Sequence, residues 1–144
     1  MIFTELKPDE FDSTFNLLSE TKLDASDLKQ ANIRLFTLIE NDQVVAVGGL
    51  EIIDDVALLR SVAVNPKHQK KGIGAQLVSS IEKIAKESGL TALYLLTNTA
   101  ANFFTANGYK IINRDDFAEP LKRTAQFSGL CPVSAICMKK EVLY

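Results

Sequence analysis

The spacing of apolar and polar residues divides most of the chain into strand-like and helix-like segments. Residues Ile33 to Ile39 and Gln43 to Ile53 are rich in Val, Ile, Leu and Phe, and Asn41-Asp42 lies between them as a turn signal. This pattern predicts an antiparallel hairpin. Asp54-Asp55 repeats the turn signal before Val56 to Val64, which we interpret as a third consecutive strand.

The period of the pattern changes after Asn65-Pro66. From Ile73 to Ile84 apolar residues recur every three or four positions, and Gly89 follows as a stop signal, which predicts an amphipathic helix. Thr91 to Leu96 is a short, almost wholly apolar run, typical of a strand covered on both faces. Strand, helix and strand together predict a parallel crossover.

The other elements carry weaker signals. They are a strand at Ile2 to Leu6, a helix through Phe11 to Leu18, a shorter helix at Asp24 to Lys29, a helix at Ala100 to Asn107, and strands at Tyr109 to Ile112 and Val133 to Val142. Asn113 to Leu130 is the least regular stretch. No repeat or linker divides the chain, so residues 1–144 are expected to form a single α/β domain.

Composition limits the chemistry that this domain can support. The 144 residues carry a net charge of -2, which gives no overall positive field for nucleic acid or a membrane surface. One histidine, His68, and two cysteines, Cys131 and Cys137, are too few for an all-Cys/His zinc site, so we expect no metal. The N-terminal residues lack a leader pattern and no apolar run reaches the roughly 18 residues of a membrane span. We therefore expect a cytoplasmic protein.

The segment Gln69-Lys70-Lys71-Gly72-Ile73-Gly74-Ala75 joins an apolar strand to the long helix. Amides in a first helical turn have no intrahelical acceptor and can hold an anion such as phosphate. Gly72 and Gly74 would let a pyrophosphate approach the backbone, and Lys70 and Lys71 add positive charge. The alternative is a glycine-containing helix start with solvated lysines. The spacing is neither a Rossmann fingerprint nor a Walker loop.

These residues carry a resemblance to a known family. Gln69-x-x-Gly72-x-Gly74, preceded by Val62-Ala63-Val64-Asn65-Pro66, resembles the acyl-CoA motif of the GNAT superfamily of N-acetyltransferases. Downstream, Ala101-Asn102-Phe103-Phe104-x-x-x-Gly108-Tyr109 resembles the Phe-Tyr-x-x-x-Gly-Phe segment of the same family. Asp55 to Val64, Tyr94 to Thr97 and Phe127 to Ala135 are also similar to the N-acetyltransferase-like proteins encoded in bacterial arsenic-resistance clusters.

The resemblance implies an α/β (α+β) GNAT fold. Its mixed, mostly antiparallel sheet would have six to seven strands flanked by helices, splayed between the strand at Val56 to Val64 and the strand at Thr91 to Leu96, with CoA in the opening. Main-chain groups of Val62 and Val64 would pair with the pantetheine arm, and an N–H near Val62 would polarise the thioester. The residues that the resemblance places at acetyl-CoA are Val62, Ala63, Val64, Gln69, Lys70, Lys71, Gly72, Ile73, Gly74, Ala75, Asn98, Ala101 and Phe104.

Acetyl transfer to an amine also needs a base and a group that supports the leaving thiolate. Glu51, the only charged residue between Gln43 and Ile53, is the candidate base, with a water-facing position near the strand end as the alternative. Phe104 stands where many family members have a tyrosine acid. Water, a backbone amide, Cys131, Tyr109 or Ser61 would then support the thiolate, although Cys131 and Tyr109 also fit buried core positions.

Two arginines are candidates for binding the acceptor. Arg60 presents a fork of donors suited to a carboxylate, or else forms an ion pair with Asp54, Asp55 or Glu51. Arg123 lies in the irregular stretch, which is free to rim the acceptor pocket.

The sequence favours an acetyl-CoA-dependent N-acetyltransferase that acts on a small amine, amino-acid-like or xenobiotic. A CoA-binding sensor with slow or no turnover and a protein or peptide N-acetyltransferase are the alternatives. The apolar final strand is compatible with a homodimer.

Overall fold

The computed structural model describes residues 1–7, 32–69, 72–124, 127–128 and 134–142. Within them seven strands form one mixed sheet in the order β1-β2-β3-β4-β5-β7-β6. The strands are β1 (Ile2–Glu5), β2 (Ile33–Glu40), β3 (Gln43–Ile53), β4 (Val56–Val64), β5 (Ala92–Thr97), β6 (Lys110–Ile112) and β7 (Ile136–Glu141). The helices are α1 (Ile73–Glu87) and α2 (Ala101–Ala106), with short 3-10 turns at Pro66–His68, Arg114–Asp116 and Glu119–Arg123.

The hairpin between β2 and β3 confirms the prediction from Asn41-Asp42. Both turn residues have positive φ angles, 51° and 62°. Asparagine and aspartate tolerate this left-handed conformation better than most residues, and a two-residue turn of this type matches the twist of the strands. β1, β2, β3 and β4 then pair in sequence, each antiparallel to the next.

The centre of the sheet holds the parallel pair that the sequence predicted. β4 and β5 pair only through Val56–Leu58 and Ala92–Tyr94, although β4 continues to Val64 and β5 to Thr97. Both strands are described in full, so the ladder ends part-way along each of them. The far edge of β5 pairs with β7 along its whole length. The sheet is therefore splayed on one side of β5 and closed on the other.

The main core lies between α1 and the sheet. One face of α1 buries Leu77 and Ile81 completely against residues of β2, β3 and β4, which is the face that the apolar spacing predicted. Phe104 of α2 and Tyr109 join the same core. A second cluster on the opposite face of the sheet includes Leu58 and Phe117.

Some predicted elements lie outside the described residues. These are the helices at Phe11 to Leu18 and at Asp24 to Lys29, and Val133 at the predicted start of the final strand. Ser134 and Ala135 are described but precede β7, so the prediction that they belong to the strand is wrong. In the parts of the chain that the structure describes, no helix is long and apolar enough to cross a membrane.

The fold predicts a large loss of stability on truncating the α1 face. We expect Leu77→Ala to lower the free energy of unfolding by about 2–5 kcal/mol, because Leu77 is fully buried and its removal leaves a cavity. Urea unfolding measures this change. Ile111→Ala is the control, since Ile111 is 64% exposed and its truncation should change stability by at most about 0.5 kcal/mol. Similar losses for the two variants would contradict the packing described here.

Candidate functional site

The end of the β4–β5 ladder coincides with a bulge in β4. The register between β3 and β4 shifts between Val47 and Gly49, and Ser61 has a φ of 58°. Val62 packs on the α1 face of the sheet, whereas Ala63 packs with Val47 on the opposite face. One extra residue in β4 accounts for both observations. The ladder with β5 has already ended at Leu58, so the bulge lies in the part of β4 that has no ladder partner among the described residues on that side.

Two consecutive glycines in β3 lie opposite the bulge. A Cβ on Gly48 would lie 2.8 Å from Ile81 and 3.5 Å from Val62, and one on Gly49 would lie 2.9 Å from Leu35. A side chain at either position would have to displace its neighbours. The sequence analysis missed this feature, although paired glycines inside a strand are a recognised signal for a bulge or a close approach.

A buried ion pair stands beside the bulge, on the face opposite α1. Arg60 Nη1 donates to Glu51 Oε1 at 3.0 Å, and the side chains are 2% and 3% exposed. Of the three partners that the sequence left open for Arg60, Glu51 is the one that the structure shows. Glu51 is not water-facing, because its side chain is buried. It lies on the face opposite α1, since its neighbours Leu50 and Ile52 pack on the α1 face. Removing one partner alone would cost about 3–5 kcal/mol.

The N-terminus of α1 lies directly after the loop that follows β4. Gly72, the residue before α1, has a φ of 74°, and among the described residues other than its chain neighbours no heavy atom lies within 4 Å of the position of a Cβ. A glycine cannot cap the helix with a side chain, so the amides of Ile73, Gly74 and Ala75 are donors without an intrahelical acceptor. Gln69 Nε2 donates to the Val64 carbonyl at 3.3 Å and ties the loop to the end of β4.

Gly74 has a packing role that the sequence did not reveal. Its Cβ position is 3.2 Å from two ring atoms of Phe103 and 3.5 Å from Val64, so the missing side chain makes room for α2 rather than for a phosphate. The expectation that both glycines clear the backbone for an anion therefore fits Gly72 better than Gly74. Phe103 is a second residue that the sequence analysis missed.

Phe104 and Tyr109 lie in the core behind this helix. Phe104 is 6% exposed, and its ring meets Phe103 and Tyr109 edge to face at 5.0 and 5.5 Å between centroids. The Tyr109 hydroxyl donates to Glu82 at 2.9 Å, and Lys140 binds both Glu82 and the Asn107 carbonyl. Burial, together with the Glu82 carboxylate, raises the pKa of Tyr109 well above its usual range. This phenol keeps its proton and is not placed to supply it to a thiolate.

The remaining predicted site residues are spread around the opening. Ser61 is half-buried at the bulge, Ala101 is half-buried at the start of α2, and Asn98 and Arg123 are exposed. Lys70, Lys71 and Cys131 lie outside the described residues, so the predictions for them stay predictions.

Cys137 is a buried thiol that the sequence analysis did not single out. It lies on β7 in the cluster with Tyr94 and Phe117. Burial raises its pKa, and a hydrogen bond and charge from Arg114 offset part of that change. Nothing in its spacing would have indicated this partner.

The arrangement suits an extended ligand that ends in an anion. Within the described residues, β4 beyond Leu58 and β5 beyond Tyr94 have no ladder partner on the sides that face each other, so a chain with amide bonds can pair with them, and the α1 amides can donate to a phosphate. In the described ranges, no three His, Cys, Asp or Glu side chains are grouped to hold a metal ion.

Comparison with known proteins supports this interpretation. The acetyltransferase (GNAT) family matches residues 2–109, which is most of the chain. The chain belongs to this family. The likeness suggested by the Gln69 to Gly74 motif is confirmed, whereas the relation to proteins of arsenic-resistance clusters stays a prediction.

Two relatives and one solved structure illustrate how far the GNAT likeness extends. The chain is 30% identical over 95 residues to the uncharacterized protein YyaT of Bacillus subtilis, covering 65% of this chain and 64% of that protein. It is 31% identical over 83 residues to an amino-acid acetyltransferase of Pseudomonas putida, covering 56% of this chain and 19% of that protein. The N-acetylglutamate synthase of Neisseria gonorrhoeae, complexed with coenzyme A and L-arginine, has a TM-score of 0.80 at 16% identity, covering 97% of this chain and 32% of that one. The chain thus spans less than two thirds of each of these proteins.

The buried phenol gives a prediction with a defined pH dependence. We expect Tyr109→Phe to lower the free energy of unfolding at pH 7 by about 0.5–1.5 kcal/mol, because one hydrogen bond to Glu82 is lost. The folded-state pKa of Tyr109 is raised, so its contribution is complete below the unfolded value of about 10 and declines as the pH rises above it. Urea unfolding of both proteins at pH 7 and about pH 10.5 measures this. An equal difference at both pH values would contradict the assignment.

Proposed function

We propose that this GNAT protein transfers an acetyl group from acetyl-CoA to the amine of a small molecule. The observation that carries the proposal is the truncated β4–β5 ladder with the N-terminus of α1 after it. An extended pantetheine arm with its two amide groups would complete the missing strand pairing. The pyrophosphate would meet the α1 amides. CoA bound to the N. gonorrhoeae enzyme, which shares this fold, supports the choice of donor.

The proposal assigns most of the donor contacts to main-chain groups. Val62, Ala63 and Val64 would pair with the pantetheine arm, and Gln69 to Ala75, with Lys70 and Lys71, would hold the pyrophosphate. Asn98, Ala101 and Phe104 would line the other side, with Phe103 added from the structure because it packs on Gly74. The Val62 N–H would polarise the thioester carbonyl as negative charge develops there.

On the acceptor side, the amine must lose a proton before it attacks the thioester carbonyl. We propose Glu51 as the base, since it is a carboxylate on the face opposite α1 beside the opening. Ser61 and Cys131 are the proposed supports for the leaving thiolate. Tyr109 is not among them, because its hydroxyl is committed to Glu82. Arg123 is the proposed contact for a charged group on the acceptor, whereas Arg60 is buried and bound to Glu51.

An amino-acid-like acceptor is the class that the relatives favour, since several of them are named amino-acid acetyltransferases. The similarity to proteins of arsenic-resistance clusters adds xenobiotic amines to the panel worth testing. The proposal treats residues 1–144 as one catalytic domain that acts in the cytoplasm, with a homodimer as the expected assembly.

The direct test is release of free CoA from acetyl-CoA in the presence of an amine panel. The panel should contain free amino acids, xenobiotic amines and peptides with free N-termini. We expect release with amino-acid-like amines above the rate in buffer. Binding of acetyl-CoA without release for any amine would support a CoA-binding sensor instead, and release with peptides alone would support a peptide acetyltransferase.

A charge placed at the helix N-terminus should eliminate donor binding. We expect Gly74→Glu to bind acetyl-CoA too weakly for calorimetry to detect, because a carboxylate would repel the pyrophosphate and the new side chain would press on Phe103. Gly74→Ala adds the steric change alone and should bind more weakly by a smaller factor. Ser79→Glu adds the same charge at an exposed position of α1 and should bind as the wild type does. Unchanged affinity in Gly74→Glu would refute the donor site.

Glu51 can be tested with a near-isosteric substitution. Glu51→Gln keeps an oxygen that accepts the hydrogen bond from Arg60 but removes the proton acceptor. It also leaves the Arg60 charge buried without the Glu51 counter-charge, so the variant is assayed where urea unfolding shows that it is folded. We expect kcat to fall by about 10²–10⁴-fold, the usual contribution of a general base, while KM for acetyl-CoA stays within about twofold. Steady-state kinetics over a range of pH measure both quantities. An unchanged kcat and pH profile would assign the proton transfer to water or to another residue.

A further inference from the structure

The bulge in β4 is formed by Ser61, and serine seldom adopts the backbone conformation that Ser61 has here. Ser61 has a φ of 58°, in the left-handed region that residues with a Cβ seldom adopt and that glycine adopts freely. The surrounding structure must therefore hold Ser61 in place. Such strained positions cluster at functional sites, where their geometry has a use.

The side chain of Arg60, the preceding residue, makes contacts that hold the bulge in place. Arg60 Nη1 donates to Glu51 Oε1 at 3.0 Å, and Arg60 Nε lies 3.5 Å from Ser61 Oγ, a long contact. Arg60 and Glu51 are 4% and 3% exposed. Because β3 carries Glu51 and β4 carries Arg60, the ion pair joins the two strands one residue before their register shifts.

The bulge changes the direction of the peptide groups that follow it. Arg60 lies on the face opposite α1, since Leu58 two residues earlier packs there. In an unbroken strand Val62 would lie on that same face. Instead Val62 packs on the α1 face, with its Cγ2 3.5 Å from the Cβ position of Gly48. The inserted residue, Ser61, therefore sets the orientation of the Val62 N–H.

A gain in the stability of the fold would not by itself explain why this ion pair is buried. Replacing a buried ion pair by apolar residues of similar volume is often neutral or stabilising, because the desolvation of two charges offsets their attraction. A pair of directional, charge-assisted bonds does fix geometry more narrowly than apolar contacts do. The pair lies next to Ser61, whose backbone is left-handed, at the opening of the sheet. The geometry that the pair fixes is therefore the conformation of the bulge.

We propose that Arg60, oriented by Glu51, is a positioning residue for acetyl transfer. It holds the bulge at Ser61 so that the Val62 N–H points at the thioester carbonyl of acetyl-CoA. This inference rests on the proposed function. It gives the pair a role whichever group accepts the proton from the amine, and it assigns that role to a residue that does not touch the donor itself.

The test compares the affinities of CoA and acetyl-CoA, because only acetyl-CoA carries the carbonyl that Val62 would bind. The main variant is the double substitution Glu51→Gln with Arg60→Met, which removes both charges and leaves no lone buried ion. Calorimetry gives the ratio of the two dissociation constants. We expect the preference for acetyl-CoA to fall by about two- to tenfold, the effect of one net hydrogen bond, while the affinity for CoA stays within about twofold.

A third substitution distinguishes a loss of the bulge geometry from a general loss of structure. Adding Ser61→Gly to the double variant should restore at least half of the lost preference for acetyl-CoA, because glycine adopts the required φ without the contacts that Arg60 provides. The matched control is Arg34→Met, which breaks the exposed ion pair of Arg34 with Glu5 at 2.7 Å and should leave the ratio unchanged. If the double variant does not fold, Arg60→Lys replaces it. Lysine keeps the charge beside Glu51 but lacks the fork, and the same fall in preference is expected.

Each other outcome overturns the inference. An unchanged ratio in the folded double variant or in Arg60→Lys would show that the pair does not set the geometry of the thioester site. So would a wild-type protein without a preference for acetyl-CoA. A lost preference that Ser61→Gly does not recover would show that the pair acts elsewhere than through the bulge. A wild-type protein that binds neither ligand would overturn the proposed function, and this inference with it.

Discussion

The early end of the parallel ladder between β4 and β5 is the constraint on which the rest of the site depends. Parallel strands normally satisfy each other's peptide groups along their whole length, and unpaired groups in a sheet interior are costly. Here the pairing stops at Leu58 and Tyr94, and β5 compensates only on its other edge, through β7. The remaining groups face an opening, where a ligand with its own amide bonds can satisfy them.

The two helices that follow β4 and β5 are held to the sheet and to each other by packing and hydrogen bonds. α1 is anchored by its apolar face, and Gly74 lets Phe103 of α2 approach it closely. At the far end of α2, Lys140 binds the Asn107 carbonyl and Glu82 of α1. Packing of Phe103 on Gly74 and the hydrogen bonds of Lys140 therefore fix the position of α2 relative to α1.

The sequence predicted the elements better than their irregularities. Turn residues such as Asn41-Asp42 and the helical period from Ile73 to Ile84 act locally, so the hairpin and the crossover could be inferred from them, whereas the splayed pair was implied by the family resemblance. The bulge depends on a register between two strands, and only the Gly48-Gly49 pair hinted at it. For Glu51 the sequence left a water-facing position near a strand end open beside the role of base, because its partner Arg60 lies nine residues away and becomes diagonal to it only in the sheet.

The donor half and the acceptor half of the proposed site depend on different kinds of group, and this explains why a sequence motif points to the first and not to the second. The donor is expected to meet peptide groups of β4 and the first turn of α1, and peptide groups need only the right backbone, which glycines and a bulge specify. Such a site leaves a short motif in the sequence. The acceptor would meet side chains on the opposite face, and their roles depend on pairs such as Arg60 with Glu51, which the sequence left as one of three alternatives. A change of acceptor therefore requires no change in the framework that holds acetyl-CoA. Family membership accordingly specifies the donor much more closely than it specifies the amine.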